Sequence, residues 1–415
     1  MDRAKPFSIP KREVWEAYNR VKANKGASGV DGQSIAEFEK DLENNLYKLW
    51  NRMSSGSYFP PPVRRVDIPK GDGRKRPLGI PTVADRIAQM VAKRYLEPIL
   101  EPYFHPNSYG YRPKKSAVQA LGAARKNCWR YDWVLDLDIR GFFDNIDHGL
   151  LMHAVRKHTD CKWVLLYIER WLKAPAQLED GMLEERDKGT PQGGVVSPLL
   201  ANLFLHYALD MWMDRRFPTI PFERYADDVI CHCKTERQAK YLLVAIERRL
   251  AECNLEVNPQ KTKIVYCKDD NRKGGCPNEK FDFLGFTFRP RLAKNRKGNL
   301  FVNFTPGVSN KAAKEMRQAM RGWRLHMCSG KSLDDLARMV NPILRGWLNY
   351  YGSYCRSALF PTFECLERIL SKWAARKYKR FRRRRKPARH WLRRISRRQP
   401  GLFVHWQLLY SAAEQ

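Results

Sequence analysis

Apolar residues recur at helical spacing near the start of the chain, in Val14, Ala17, Tyr18 and Val21 and again in Phe38, Leu42 and Leu46, which predicts amphipathic helices. Between these runs, residues 24–32 (Asn-Lys-Gly-Ala-Ser-Gly-Val-Asp-Gly) read as a glycine-rich basic loop. Pro60, Pro61 and Pro62 stiffen the entry to an extended run over 63–69, and Lys70-Gly71-Asp72-Gly73 carries hairpin-turn chemistry. Helical periodicity returns over 83–100. Two strand-like stretches follow, Val134-Leu135-Asp136-Leu137-Asp138-Ile139 and Phe222-Glu223-Arg224 running through a tight turn into Val229-Ile230-Cys231. Largely helical sequence separates them, interrupted by Gly189-Thr190-Pro191-Gln192-Gly193-Gly194. Gly274-Gly275-Cys276-Pro277 breaks the chain before a last strand-like run over 281–288. From about residue 308 the period is helical again, through Met316, Met320 and Trp323 and then Leu336, Val340, Leu344 and Trp347. Polar and basic residues dominate 289–308 and predict a domain boundary there. No internal repeat is present.

Composition changes this picture in one respect. At 415 residues the chain can form two or three domains, and 43% hydrophobic residues with twelve Trp argue that they fold. The formal net charge of +33 points to a polyanion as the standing partner. A membrane surface is the rival reading of that charge. No apolar run approaches the roughly 20 residues of a spanning helix, and the N-terminus lacks a signal-peptide core. The ten Cys are scattered without a CxxC pair, which argues against a zinc module and for a reducing, cytosolic setting. Residues 372–398 are mostly Lys and Arg, with Arg382, Arg383, Arg384 and Arg385 in one run. Such one-sided charge repels itself without a polyanion. Arg393, Arg394, Arg397 and Arg398 recur at helical spacing and predict a basic helix ordered by RNA.

The acidic residues carry the candidate chemistry. Tyr225-Ala226-Asp227-Asp228 places two adjacent carboxylates at a turn, where they repel and cannot both ionise cheaply without a cation. Asp136 and Asp138 alternate along the other strand and share one face. Carboxylates meeting from two strand ends suit Mg²⁺, an oxygen-seeking ion used in phosphoryl transfer. Taken alone, the Asp227–Asp228 turn could equally be solvated. Phe143 reads either as a ring beneath a nucleotide sugar or as core packing, and the residues alone favour packing.

Ordered motifs extend these signals across most of the chain. They are Arg76-Pro77-Leu78-Gly79-Ile80-Pro81-Thr82, Ser108-Tyr109-Gly110-Tyr111-Arg112-Pro113, and Asp138-Ile139-Arg140-Gly141-Phe142-Phe143-Asp144-Asn145-Ile146-Asp147-His148. Thr190-Pro191-Gln192-Gly193-Gly194, Ser197-Pro198-Leu199-Leu200-Ala201-Asn202, Tyr225 to Asp228, Asn258-Pro259-Gln260-Lys261-Thr262 and Phe283-Leu284-Gly285-Phe286 follow. In these motifs, and in Arg345-Gly346-Trp347-Leu348-Asn349-Tyr350-Tyr351, the chain resembles bacterial group II intron-encoded reverse transcriptase–maturases.

The resemblance implies Asp138, Asp227 and Asp228 as metal-binding carboxylates for two Mg²⁺ ions, with the Ile139 carbonyl as a further ligand. It implies that Lys70 and Arg76 grip the incoming triphosphate, that Phe143 selects deoxynucleotides, and that Gln192 and Gly193 approach the templating pair. Lys261 is a weaker candidate proton donor to pyrophosphate. Asp136, Asp144 and Asp147 match the pattern without an assigned step, and Asp147 or His148 could cap the following helix. Lys25, Arg112 and Arg345, with Arg382, Arg383, Arg384, Arg385, Arg393 and Arg394, are expected to contact RNA. Trp347 reads as packing, and Leu402-Phe403-Val404-His405-Trp406 as an apolar anchor docking back on the thumb.

The implied fold is α+β: a right-hand polymerase, with fingers and an antiparallel palm sheet, followed by an α-helical thumb or maturase domain. The expected divisions are 1–55 (N-terminal extension and start of the fingers), 56–290 (fingers and palm), 291–371 (thumb) and 372–415 (basic tail). The implied activity is RNA-directed DNA synthesis, coupled to binding of the parent intron RNA for splicing and retromobility. Partners are then intron RNA, target and primer DNA and deoxynucleotides, in the bacterial cytosol or at the nucleoid, with a homodimer left open. The longest relatives continue into an HNH nuclease, and the resemblance is to the shorter form without one. A maturase without polymerase activity, and a domesticated enzyme of DNA repair or phage defence, are the alternatives.

Overall fold

The computed structural model describes residues 5–69, 75–272, 274–295, 297–382 and 384–410. The chain forms two compact units, one of Met1–Ser116, Leu135–Cys231 and Glu236–Lys263, the other of Ala117–Val134, His232–Thr235 and Ile264–Gln415. The strands, in chain order, are β1 (Val63–Pro69), β2 (Lys75–Ile80), β3 (Trp133–Asp138), β4 (Ala176–Gln177), β5 (Leu183–Glu184) and β6 (Phe222–Tyr225). They continue with β7 (Asp228–Cys233), β8 (Lys263–Tyr266), β9 (Phe281–Phe283), β10 (Phe286–Lys294) and β11 (Leu300–Val308).

In the first unit the predicted N-terminal helices form at Lys11–Asn24, Ile35–Glu39 and Leu42–Ser55. Val14, Ala17, Tyr18 and Val21 are the buried face of the first, as their spacing requires. Ser34 closes a capping box with Glu37. β1 and β2 pair antiparallel from Arg64↔Ile80 to Pro69↔Lys75; the Lys70–Gly73 turn lies outside the described residues. β1 also pairs β4 in parallel, and β4 pairs β5 antiparallel. The Val83–Leu100 helix is buried along most of its first half. Asp85 lies within it, accepting hydrogen bonds from Tyr58 Oη (2.8 Å), Trp171 Nε1 (2.8 Å) and Gln89 Nε2 (3.0 Å). β6 and β7 form an antiparallel hairpin, and β3 lies on the other side of β7.

The second unit departs from two expectations. The run over 281–288 is two strands, because Leu284 (φ 50°) and Gly285 (φ 79°) turn the chain between β9 and β10. Successive positive φ values are what a tight hairpin needs. The stretch 289–308 is a hairpin as well, with β10 and β11 paired from Phe286↔Val308 to Lys294↔Leu300. No residue of its outer half over 291–294 and 300–303 is fully buried, so that half shows no alternating buried face and its sequence resembles a linker.

Helices Asn310–Gly322, Leu333–Tyr351 and Phe360–Lys377 then enclose a core that includes Met320, Leu336, Leu344, Phe363, Leu370 and Trp373. Trp347 stacks on Trp323 with ring centroids 5.7 Å apart, which is packing. In the basic run the helix that the arginine spacing predicts forms at Arg385–Arg398. It buries Ala388 and Leu392 in the same core, and helix Val404–Tyr410 adds Trp406 beside Phe403. Glu367 receives hydrogen bonds from His405 Nε2 (2.8 Å), Trp406 Nε1 (2.7 Å) and Tyr410 Oη (2.9 Å). Burial works to raise the Glu367 pKa, but those bonds outweigh it and hold the carboxyl below its usual range. Among the described residues, no helix is long and apolar enough to cross a membrane.

Candidate active site

β3 ends on Asp138, and the segment after Glu256 is fastened along that end. The Asp138 N–H donates to Thr262 Oγ1 (3.1 Å), and its carbonyl accepts the Asn258 N–H (2.8 Å). Ile139 bridges Val257, and the Arg140 N–H donates to the Glu256 carbonyl (2.8 Å). These ties bring the Lys261 ammonium to 3.1 and 3.3 Å from the two Asp138 carboxylate oxygens.

In the β6–β7 hairpin Tyr225 pairs with Asp228, leaving Ala226 and Asp227 as the loop. Ala226 has φ 58°, in the left-handed region that glycine normally occupies at such turns. The turn carries Asp227 to the same cavity of about 410 Å³ that Asp138 lines, together with Arg76, Ile139, Phe143, Gln192 and Lys261. Asp228 is half-buried at the first position of β7 and does not line that cavity.

Burial raises the Asp227 pKa, and the nearby Asp138 charge adds to the rise, while Arg76 and Lys261 oppose it. A cation shared by Asp138 and Asp227 would reverse that penalty. Neither His nor Cys lines the cavity, so the donors are hard oxygens that fit Mg²⁺. Among the described residues, no cluster of three or more carboxylate, His or Cys side chains stands ready as a metal site. Asp138 and Asp227, and Asp144 on another wall, are the carboxylates that line the cavity, and water or substrate oxygens would complete a coordination shell.

Along another wall, Arg76 Nε donates to Gln192 Oε1 (2.5 Å) and Gln192 Nε2 donates to Asp144 Oδ1 (3.2 Å). The Gln192 carbonyl accepts the Gly79 N–H at 2.8 Å. Gly193 has φ 123°, and a Cβ there would stand 2.5 Å from the Gly79 carbonyl oxygen, so only glycine fits. Phe143 is 7% exposed, and its remaining surface faces the cavity. Asp136 pairs with Lys263 at 3.5 Å. Asp147 caps helix His148–Arg156 by accepting the Leu150 N–H. Lys70 lies outside the described residues.

Sequence reading missed the polar set beneath the turn. Arg224 is fully buried and ion-paired with Asp210, which is also fully buried. The available signal was a lone Asp at the end of the apolar stretch Leu203-Phe204-Leu205-His206-Tyr207-Ala208-Leu209, since a charge on a buried face needs a partner.

The expected RNA-contact residues are dispersed. Lys25 is exposed, in a loop held by Arg86 Nη2 donating to the Ala27 carbonyl (2.7 Å). Arg112 is instead committed within its own unit. It bonds the Glu101 carboxylate and the carbonyls of His105 (2.6 Å) and Ser108 (2.7 Å), and its side chain is 6% exposed. In the second unit Arg345, Arg382, Arg384, Arg385, Arg393 and Arg394 are all exposed. Lys372, Arg376, Lys377, Lys379, Arg382 and Arg385 line an open groove of about 810 Å³. Arg383 lies outside the described residues.

Comparison with known proteins accounts for both regions. Residues 68–288 match the family described as reverse transcriptase (RNA-dependent DNA polymerase), and residues 313–391 match the group II intron, maturase-specific domain. The chain is 32% identical over 294 residues to Protein YkfC of Escherichia coli, covering 61% of this chain and 77% of that protein. It is 36% identical over 268 residues to the group II intron-encoded protein LtrA of Lactococcus lactis, covering 60% of this chain but 44% of that protein. To nuclear intron maturase 2 of Arabidopsis thaliana it is 26% identical over 258 residues, 49% of this chain and 35% of that protein. The chain thus spans less than half of the latter two relatives. With a reverse transcriptase region of mixed α/β content followed by a helical maturase-specific region, the chain belongs to the group II intron-encoded reverse transcriptase–maturase family.

Proposed function

We propose that the protein is an RNA-directed DNA polymerase that also binds its parent group II intron RNA to promote splicing and retromobility. The observation that carries this reading is the meeting of Asp138 and Asp227, from strands far apart in sequence, on one cavity with Arg76, Phe143, Gln192 and Lys261. In this reading the cavity holds the 3′-end of a primer and an incoming deoxynucleotide. Bound Mg²⁺, two ions in all, would supply activation of the primer hydroxyl and charge neutralisation on the leaving pyrophosphate. Asp138 and Asp227 would hold the metal, with Asp228 and the Ile139 carbonyl, at the same two strand ends, as its further ligands. Arg76, with Lys70, binds the triphosphate through the donor fork that suits phosphate oxygens. Phe143 closes the sugar side against a 2′-hydroxyl. Gln192 and Gly193 bring backbone to the templating pair. Lys261, at hydrogen-bond distance from Asp138, would give a proton to pyrophosphate.

The architecture proposed is the right hand, with fingers and palm over 56–290 after an N-terminal extension of 1–55. The thumb spans 291–371, and the basic helices of 372–415 extend the RNA-binding surface. Exposed cations on a folded helix and groove support that surface, because backbone phosphates dominate RNA affinity. Splicing chemistry belongs to the intron RNA, and the setting is the bacterial cytosol and nucleoid.

The test is primer extension on an RNA template with deoxynucleotides and Mg²⁺, comparing wild type with Asp227→Ala. Extension by the wild type that the variant loses is the expected result. A folded wild type that binds RNA but does not extend, or a variant that extends as well as wild type, would overturn the polymerase reading.

A further inference from the structure

Arg224 has no exposed surface, yet one of its bonds reaches the turn that presents Asp227. We propose that Arg224, clamped by Asp210 and Asn202, is a positioning residue that fixes the turn of Ala226 and Asp227 in its metal-binding shape; this rests on the polymerase reading above.

The guanidinium is used on three sides. Nε and Nη2 donate to the two oxygens of Asp210 at 2.7 and 2.6 Å, a bidentate fork. Nη1 donates to Asn202 Oδ1 at 2.9 Å and to the Ala226 carbonyl at 3.0 Å. That carbonyl belongs to the peptide leading into Asp227, so its direction sets the backbone on which the Asp227 side chain is mounted. Asn202 in turn donates from Nδ2 to the Gly110 carbonyl at 2.6 Å. Gly110 lies so close to the turn that a Cβ there would stand 2.4 Å from the Ala226 nitrogen. The turn is therefore gripped by the Arg224 side chain and by the Gly110 backbone, and Asn202 joins the two grips.

An ion pair that served only to hold helix against strand would not need the bond to Ala226. Ala226 sits at φ 58° without the freedom of glycine, so something outside the turn must hold it there. The helix below has the matching irregularity. Asp210 follows Asn202 by eight positions, which in an α-helix of 3.6 residues per turn would leave it about 80° off the Asn202 face. The π-helical segment His206–Asp210 intervenes. Such a segment acts as a one-residue insertion, so both side chains share a face and reach one guanidinium.

The experiment uses the full chain as wild type, Arg224→Lys and Asn202→Ala. Lysine keeps the buried charge but cannot fork to Asp210 while reaching Ala226, and Asn202→Ala leaves the Arg224–Asp210 pair intact. Folding is checked by circular dichroism and thermal melting. Mn²⁺ affinity is read by electron paramagnetic resonance, and extension is measured across Mg²⁺ and deoxynucleotide concentrations. Arg224→Lys is expected to weaken Mn²⁺ binding and raise the half-maximal Mg²⁺ concentration about tenfold or more, the scale of losing a residue that orients a metal ligand. Its kcat should fall while the deoxynucleotide KM stays within about twofold, and Asn202→Ala should shift in the same direction by less. A folded variant with wild-type Mn²⁺ affinity and Mg²⁺ requirement would overturn the proposal; if Arg224→Lys does not fold, Asn202→Ala decides. Should the wild type bind Mn²⁺ but not extend, the polymerase reading fails and the Mn²⁺ affinities still decide the role of Arg224. A wild type that neither extends nor binds Mn²⁺ overturns both.

Discussion

The two units handle charge in opposite ways. Around the first unit's cavity each charged group has a defined place: Asp138 against Lys261, Asp227 on its turn, Arg76 and Asp144 against Gln192, and Arg140 against Glu256. On the second unit many cations are exposed along one helix and one groove, while its deeply buried carboxylate, Glu367, is satisfied internally. A site that must place a reacting atom depends on geometry, so single residues should matter greatly. A surface that must hold a flexible polyanion depends on summed charge, so single residues should matter little.

The sharpest way to break that contrast is Asp138→Ala. If Asp138 and Asp227 hold the metal as proposed, losing one of them removes charge stabilisation worth several kcal/mol, so extension should fall about 10³-fold or more. RNA binding, measured by filter retention, should stay within about threefold, because a removed negative charge does not weaken attraction for phosphate. A variant that extends at more than a tenth of the wild-type rate would remove the first half of the comparison.

Next in size is Glu367→Ala, which tests the satisfied carboxylate of the second unit. It leaves the His405, Trp406 and Tyr410 donors unpaired, and a broken buried network of this kind costs about 3 kcal/mol. Chemical denaturation should show that loss as a lower midpoint. The pH dependence follows from sign. Glu367 is held below its ordinary value of 4.5 in the folded protein, so its contribution is full above that value and is lost as pH falls through the folded value. Wild type should therefore lose stability on acidification below about pH 4.5 more steeply than Glu367→Gln. Equal slopes would mean that the three bonds do not distinguish the charged from the neutral carboxyl.

Phe143→Ala probes the sugar side of the cavity. Because Phe143 is 7% exposed, truncation also opens a void, and total activity is an ambiguous readout. The ratio of kcat/KM for deoxynucleotides over ribonucleotides does not depend on the folded fraction. Steric discrimination by a side chain is worth about 1–3 kcal/mol, so that ratio should fall about tenfold or more. An unchanged ratio would return Phe143 to core packing.

What sequence could reveal follows the same division. Asp138 and Asp227 were legible because carboxylates at the ends of apolar strand runs are conspicuous, and the Val83–Leu100 helix because its period is regular. Arg224 was not, since its partners Asp210 and Asn202 lie on a helix whose π segment shifts the face that period alone would assign. Arg112 looked available for RNA only because its commitment to Glu101 is a tertiary fact. The β10–β11 hairpin hid behind polar residues, and Leu292 and Leu300 near its tip are 67% and 64% exposed. Within the basic C-terminal run the signal was present but outnumbered: Ala388, Leu392 and Ile395 recur as a helical stripe and dock the helix on the core.

The smallest single effects belong to that helix and its groove, and they decide whether its charge acts as a sum. Arg382, Arg384 and Arg385 are all exposed. If each neutralises one phosphate, any one Arg→Gln change should weaken RNA binding only about two- to fourfold at moderate salt, while the triple variant should multiply those losses. The slope of log affinity against log salt is the more specific quantity. Each phosphate contact on a single strand contributes about 0.7 to that slope, so the triple change should flatten it by about 2. Folding is not expected to interfere, because exposed substitutions outside a packed face change stability by about 0.5 kcal/mol or less, and Ala388 and Leu392 keep the helix docked. A steeper loss from one arginine than from the other two together would mean that this surface, like the cavity, places a particular group, and the contrast between the units would narrow to one of degree. An unchanged slope in the triple variant would move the RNA path off these arginines and toward the exposed Arg393 and Arg394 on the following turns of the same helix.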